Sequence, residues 1–239
     1  MPLPKISTPT YELELPSTDQ TIKFRPFLVR EEKLLVLALE SEDIKQITTA
    51  IKTVIKNCVQ TKNIKVETLP TFDIEYLFLN IRGKSVGEEI EVNLLCPDDE
   101  ETQVSEKINI DDIKVKKFDD HSNKIQLDDS LIMEMKYPAL DQFIKSNFDF
   151  SSKNNMDQSF DLISSCVDKI YNNEEVWAAA DCTKKEIMEF LEDMNSHQFK
   201  EIEKFFETMP KLYHELTITN PKTQVESKIV LEGLSSFFA

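Results

Sequence analysis

Alternating apolar and polar residues begin near the start of the chain. Residues 11–15 (YELEL) and 21–25 (TIKFR) both alternate, and the turn-rich stretch PSTDQ lies between them. This pattern predicts a β-hairpin with one buried face. The next segment, 29–41, predicts a helix, and its run at 34–39 is apolar at every position. A helix that is apolar all round is normally buried, so we expect this helix to be central.

The middle of the chain changes from helical to strand-like periodicity. Residues 43–59 predict an amphipathic helix, and residues 72–82 predict a helix that is buried on nearly every side. Several short alternating segments follow over 88–137, separated by clusters of Asp, Ser and Asn. Short strands at this spacing predict an antiparallel sheet or a small sandwich.

The last hundred residues predict helices followed by two strands. Residues 148–158 are typical of a loop or linker, and a helix is predicted over 159–172. Thr183 and Glu186 have the spacing of a capping box at the start of a helix over 184–194. A helix over 197–209 ends before Pro210, and the chain then predicts a hairpin with its turn at Asn220-Pro221.

These elements predict an α+β fold. Its N-terminal part has β-hairpins, antiparallel strands and buried helices, and its helical part is closed by a C-terminal β-hairpin. We divide the chain into an extended, proline-rich arm at 1–10, an α+β domain at 11–147, and a helical region with the C-terminal hairpin at 159–239.

Two predicted hairpins resemble each other in sequence. The segment 91–108 contains Cys96-Pro97 and then Thr-Gln-Val, and the segment 215–229 contains Asn220-Pro221 and then Thr-Gln-Val. Similar hairpins reuse similar turn chemistry, so duplication and convergence both account for the similarity.

Charge and cysteine content exclude several classes of function. Lys and Arg total 28 and Asp and Glu total 44, which gives a net charge of −16. Such a chain repels nucleic acid, and the acidity indicates either solubility or a partner with basic surfaces. The four cysteines form no C-x-x-C pair, which indicates free thiols in a reducing compartment. We find no signal peptide and no apolar run of membrane-spanning length.

Catalytic and metal-binding patterns are missing. The three histidines are His121, His197 and His214, and we interpret His121, in a predicted turn, as solvated. The acidic run 98–101 lacks the ligand spacing and the glycine of a calcium loop, so we interpret it as a solvated turn. We therefore predict a protein that is not an enzyme, with no cofactor and no small-molecule substrate.

The order and spacing of sequence segments over 10–140 and 183–239 resemble those in the baseplate hub assembly proteins of T-even-type contractile-tailed phages. The stretches that carry the resemblance are YELELPSTDQTIKFRPFLVREEKLLVLALES, LPTFDIEYLFLNIRGKSVGEEIEV, IMEMKYP and KFFETMPKLYHELTITNPKTQVESKIVLEGLSSFF. The resemblance implies a virion assembly or structural protein of the tail without enzymatic activity. It also implies cysteine pairs at the hairpin tips, like a zinc ribbon, whereas this chain has only Cys96 at the first tip and Asn220 at the second.

The resemblance leads to two functional hypotheses. The first is a structural or assembly protein of the baseplate hub that binds other hub or tail proteins, in the host cytoplasm during assembly and possibly in the virion. The second is a transient assembly chaperone or adaptor that is absent from the mature virion. For the apolar C-terminus the alternative is burial in the chain's own core. For the hairpin the alternative is an edge that stays unpaired, and for the proline-rich arm it is a course along its own domain. The candidate partner-binding residues are Pro2, Pro4, Leu216, Ile218, Leu234, Phe237 and Phe238.

Overall fold

The computed structural model describes residues 6–41, 43–140 and 156–237, and it confirms an α+β fold. The helices are α1 (Val29–Glu40), α2 (Ile44–Cys58), α3 (Thr71–Val86), α4 (Met156–Cys166), α5 (Lys184–Glu192) and α6 (Ser196–Thr208). The strands are β1 (Tyr11–Glu14), β2 (Thr21–Phe24), β3 (Glu89–Leu95), β4 (Gln103–Asn109), β5 (Lys114–Lys116), β6 (Lys124–Gln126), β7 (Ile132–Met135), β8 (Val167–Tyr171), β9 (Val176–Ala178), β10 (Lys211–Thr219) and β11 (Glu226–Glu232).

All strand pairs within the described ranges are antiparallel, and they form four separate sheets. β1 pairs with β2, and β3 pairs with β4. β10 lies between β5 and β11, and the fourth sheet has the order β6-β7-β8-β9. The N-terminal hairpin is confirmed, with Leu13 opposite Ile22.

The single sheet or sandwich predicted for 88–137 is wrong, because its five strands belong to three sheets. β5 pairs with β10, where Val115 lies opposite Leu212, and β7 pairs with β8, where Met133 lies opposite Ile170. Both partner strands come from much later in the chain. Local alternation cannot reveal a partner at such distance, since it reports only which face of a strand is buried.

A large hydrophobic core joins the first half of the chain to its end. α3 is buried on most sides, as predicted. A Cβ added at Gly83 of α3 would lie 2.8 Å from Ile110 Cδ1, so this glycine permits the close approach of the helix to the segment after β4. The buried residues that the terminal segment contributes to this core are Leu212, Ile218, Leu231, Leu234 and Phe237.

A second core surrounds α6 and the four-stranded sheet. Its fully buried residues include Met133 from β7 and Ile202 and Phe205 from α6. The capping box at the start of α5 is confirmed, because Thr183 and Glu186 satisfy each other's backbone N–H groups.

The helix predicted over 159–172 is wrong in its second half. α4 ends at Cys166, and Val167–Tyr171 continues directly as β8. β8 lies between β7 and β9, and its backbone groups bond to both neighbours. Apolar residues at 163, 167 and 170 fit a helical spacing, but pairing with β7 overrides that local pattern.

The two cores group the elements differently from the predicted division at 147 and 159. Residues 125–135 pack with the helices α4 to α6, and β10 and β11 pack with the N-terminal elements. Which parts of the chain fold independently stays a prediction, and Pro2 and Pro4 of the predicted arm lie outside the described residues.

A buried ion pair lies where β2 is followed by α1. Arg25 Nη2 donates to Glu31 Oε1 at 2.9 Å, and the two side chains are 11% and 3% exposed. Arg25 Nη1 also donates to the carbonyl of Pro26 at 2.8 Å, and the backbone N–H of Leu28 donates to Glu31 Oε2 at 2.8 Å. These bonds satisfy most of the polar atoms of the pair, which is the condition under which charges can be buried.

Hydrogen bonds keep Glu31 ionised in this position. Burial alone would raise the pKa of the Glu31 carboxyl, but donors from Arg25, the Leu28 backbone and Arg30 outweigh it and lower the pKa from 4.5 to about 2. A carboxyl with a lowered pKa in the folded state stabilises the protein above the unfolded pKa. This contribution is lost as the pH falls from about 4.5 to about 2.

We predict that Glu31→Gln destabilises the protein by about 3 kcal/mol at pH 7, because Arg25 is left buried without its counter-ion. The same substitution should flatten the acid limb of stability between pH 4.5 and 2. Urea unfolding at several pH values measures both effects. The matched control is Glu32→Gln, which changes the adjacent, exposed carboxylate and should leave both properties nearly unchanged. Equal behaviour of the two variants would contradict this account of the pair.

Candidate interaction surface

The structure overturns the expectation that α1 is central. One side of the helix faces the core through Glu31, Leu35 and Ala38, which occupy neighbouring turns. Glu31 must stay on this side because it pairs with Arg25. The residues between them are therefore turned outward, since a helix presents only one face to its core.

The outward side of α1 is largely apolar. The four residues that we call the α1 ridge are Val29 (79% exposed), Leu34 (38%), Val36 (48%) and Leu37 (54%). Arg30 and Lys33 are exposed on the same helix, as are Glu32 and Glu40. Lys33 is three or four positions from Val29, Val36 and Leu37, so the exposed apolar residues lie among charged ones on the helix surface. Such a mixed group is compatible with a protein-binding surface, whereas single exposed apolar residues are common everywhere.

A second exposed apolar site lies on β9, at one edge of the four-stranded sheet. Val176 is 65% exposed, and Trp177, the only tryptophan of the chain, is 41% exposed. An edge strand offers unpaired backbone groups to another chain, and tryptophan is enriched among residues that dominate binding energy. The site is smaller than the α1 ridge and lies beside the other core.

The candidate residues chosen from sequence mostly lie inside this chain's own core. Ile218, Leu234 and Phe237 are each 1% exposed, and Leu216 is partly buried against the same core. Pro2, Pro4 and Phe238 lie outside the described residues. Partner binding by these residues stays a prediction, while the exposed apolar area lies elsewhere. The α1 ridge was missed by the sequence analysis. The structure shows the reason, because the pairing of Arg25 with Glu31 places a charged residue on the inward face of α1.

His121 is not the solvated turn residue that its sequence context suggested. Its Nδ1 lies 2.9 Å from Thr208 Oγ1, and its Nε2 lies 2.9 Å from the Tyr137 hydroxyl. The ring also stacks on Tyr137 and contacts Phe205. The Thr208 hydroxyl donates its hydrogen to the carbonyl of Lys204 at 2.7 Å. Nδ1 of His121 therefore donates to Thr208, and in the neutral imidazole Nε2 accepts from the Tyr137 hydroxyl.

The contacts of His121 indicate that its side chain has a structural role. Both ring nitrogens of His121 are occupied by hydroxyl groups of its own core, so neither is directed at a substrate. Three of the four cysteines are buried, and burial raises the pKa of both Cys58 and Cys166 to about 11, which disfavours a nucleophilic thiolate. Within residues 6–41, 43–140 and 156–237, no three His, Cys, Asp or Glu side chains converge as metal ligands.

Comparison with known proteins places the chain in a family. The family model described as T4 bacteriophage base plate protein matches residues 8–239, which is nearly the whole chain. The chain belongs to the T4 bacteriophage base plate protein family. No curated protein and no solved structure matches it.

Family membership indicates a structural protein of a phage base plate, whose partners are proteins of the tail. A base plate protein must present surfaces to its neighbours, and α1 has more exposed large apolar side chains than any other described helix. In the described part of the chain, no helix has both the length and the apolar character that a bilayer crossing requires.

The burial of His121 gives this base plate protein a pH dependence near neutrality. Burial lowers the pKa of the His121 imidazole, and the nearby Asp120 only partly opposes this. Because the folded protein binds the proton less readily than the unfolded chain, stability should be full above pH 6.5 and fall below it.

We predict that the urea midpoint of the wild-type protein is lower at pH 5.5 than at pH 7.5, and that His121→Gln reduces this difference. His197→Gln is the control, since His197 is exposed at the start of α6. Its pH dependence should equal that of the wild type. An unchanged pH dependence in His121→Gln would show that the imidazole does not titrate as its contacts indicate.

Proposed function

We propose that this chain is a non-enzymatic structural or assembly protein of the base plate hub of a contractile tail, and that it acts by binding other hub or tail proteins. Membership of the base plate family supports the setting. The α1 ridge is the observation that supports the mode of action, because it exposes four apolar side chains on one helix.

The ridge is held in a fixed orientation before any partner arrives. The ion pair of Arg25 and Glu31 anchors the first turn of α1, and α1 packs along α2. A binding surface on a rigid element loses less conformational freedom on association than a surface on a loop. Arg30, Lys33 and Glu40 lie among the apolar residues of the ridge, so a partner surface would pair with charges as well as with apolar side chains.

The complementary partner surface is an apolar groove that accepts one face of a helix. Helices bind such grooves through apolar side chains three or four positions apart. Val29 and Val36 are seven positions apart and therefore lie two turns apart on one side of the helix, with Lys33 between them. The net charge of −16 adds long-range attraction to a partner whose remaining surface is basic.

We predict that the double substitution Val36→Lys/Leu37→Lys weakens binding to the hub partner about 30-fold, which corresponds to about 2 kcal/mol. Both side chains are exposed, so the thermal stability of the variant should match that of the wild type. Val230→Lys is the control, since Val230 is 45% exposed on β11 and lies opposite Glu215. It should bind like the wild type.

The experiment is co-expression of the tagged chain with each other base plate protein of the same phage, followed by affinity measurement on the pair that co-purifies. A chain that remains alone in every combination would refute the proposal. Mass spectrometry of purified tails then distinguishes the two hypotheses about lifetime. A hub subunit is present in tails, and a transient chaperone is found only in assembly intermediates.

A further inference from the structure

The turns of the two long hairpins share part of their backbone hydrogen-bond pattern, although the first turn (96–102) is one residue longer than the second (220–225). In the first, the N–H of Cys96 donates to the carbonyl of Thr102 at 2.8 Å, and the N–H of Glu100 donates back to Cys96 at 2.9 Å. In the second, the N–H of Asn220 donates to Val225 at 3.0 Å, and the N–H of Gln224 donates back to Asn220 at 2.9 Å. The Thr-Gln-Val stretches of the two hairpins do not occupy equivalent places, because Thr102 ends the first turn whereas Thr223 and Gln224 lie within the second.

Backbone angles and proline positions agree as well. Glu100 and Gln224 occupy equivalent positions, and their φ values are +53° and +61°, in the left-handed region. A proline follows the first residue of each turn. A non-glycine residue in this region is uncommon, so its occurrence at both equivalent positions indicates one turn type used twice.

The two turns contact each other through side chains. Asn220, which is 1% exposed, donates its Nδ2 to both carboxylate oxygens of Asp98 at 3.0 Å. The hydroxyl of Thr223 donates to the same carboxylate. The Asn220 Oδ1 atom accepts from the backbone N–H of Lys222 at 2.8 Å. The acidic turn predicted to be solvated is thus bonded to a segment 122 residues away in sequence.

In each turn, one side chain accepts a hydrogen bond from the turn's own backbone: Asp99 in the first turn and Asn220 in the second. Asp99 accepts from the backbone N–H of Thr102 at 2.9 Å and from the Thr102 hydroxyl at 2.6 Å. Hydrogen bonds from the hydroxyl and the backbone of Thr102 lower the pKa of the Asp99 carboxyl. Asp98 and Asp99 therefore stay ionised and fully engaged by donors in the neutral range.

The spacing within each turn is that of a metal-ligand pair. Cys96 and Asp99 are three positions apart, as are Asn220 and Thr223, and two pairs at this spacing are typical of a four-ligand zinc site. The residues present do not fit zinc. Cys96 is the one thiol among them, its pKa is raised by desolvation, and an Asn amide and a Thr hydroxyl are not ligands of structural zinc.

We infer that Asp98, Asn220 and Thr223 form a metal-independent clamp between the two hairpins, at the turns where Cys96, Asp99, Asn220 and Thr223 have the spacing of two ligand pairs. The Asp98 carboxylate joins the turns by accepting from both residues of the second turn. Charge-assisted hydrogen bonds of this kind are stronger than neutral ones. The clamp joins the turn of the C-terminal hairpin to the turn between β3 and β4, and both hairpins contribute residues to the same core, among them Val92, Leu94 and Ile218. It is independent of the function proposed above.

The first test measures metal dependence and the clamp itself. The wild-type protein should contain no stoichiometric zinc, and its Tm should be the same with and without excess chelator. Asn220→Ala should lower Tm by roughly 3–6 °C. Asp98→Ala should lower it too, and the double variant should lose less than the two shifts combined. Asp119→Ala, at an exposed turn position, should leave Tm unchanged. Bound zinc, a chelator-sensitive Tm or additive shifts would overturn the inference.

The second test introduces a metal site at Cys96 and at positions 99, 220 and 223. Under reducing conditions, Asp99→Cys/Asn220→Cys/Thr223→Cys leaves Cys96 with three further thiols in two C-x-x-C pairs. The variant should bind one zinc ion per chain, and its Tm should become sensitive to chelator. Its fold is checked by circular dichroism with zinc added. A variant that folds with zinc-independent stability and binds none would show that the four positions do not converge as a metal site.

Discussion

The ion pair between Arg25 and Glu31 sets the orientation of the first helix, and much of the surface follows from it. A carboxylate can remain ionised in a core only where donors surround it, and Arg25, Arg30 and the Leu28 backbone supply them. Glu31 therefore takes an inward position on α1 that an apolar residue would otherwise occupy. The apolar residues of the next turns, Leu34, Val36 and Leu37, are consequently exposed.

This constraint connects stability with binding. A helix with an apolar outer face would normally rotate to bury it, because burial of each large apolar side chain contributes about 1.5–3 kcal/mol. Rotation of α1 would separate Glu31 from Arg25 and leave charge unpaired in the core, which costs more than one such side chain gains. The ion pair thus preserves an exposed apolar surface in a protein of the base plate family.

Contacts between segments that are distant in sequence join the C-terminal hairpin to the large core. β10 carries Leu212 and Ile218 into the core begun by the N-terminal elements, and the hairpin turns meet through Asp98 and Asn220. Packing of this kind, between segments more than one hundred positions apart, makes the terminal hairpin part of the same core as β1 and β2. Both ends of the chain then contribute to one hydrophobic unit.

Local pattern by itself determined the fold class, the N-terminal hairpin, the burial of α3 and the capping box at Thr183, because each depends on neighbours within a few residues. Tertiary structure decided the rest. β8 became a strand because β7 and β9 offered backbone partners, and His121 became partly buried because Tyr137 and Thr208 contact its ring. The outward face of α1 was decided by the charge of Arg25, which directly follows β2. Alternation and helical periodicity report how one element divides into faces, but only contacts between elements decide which face is inside.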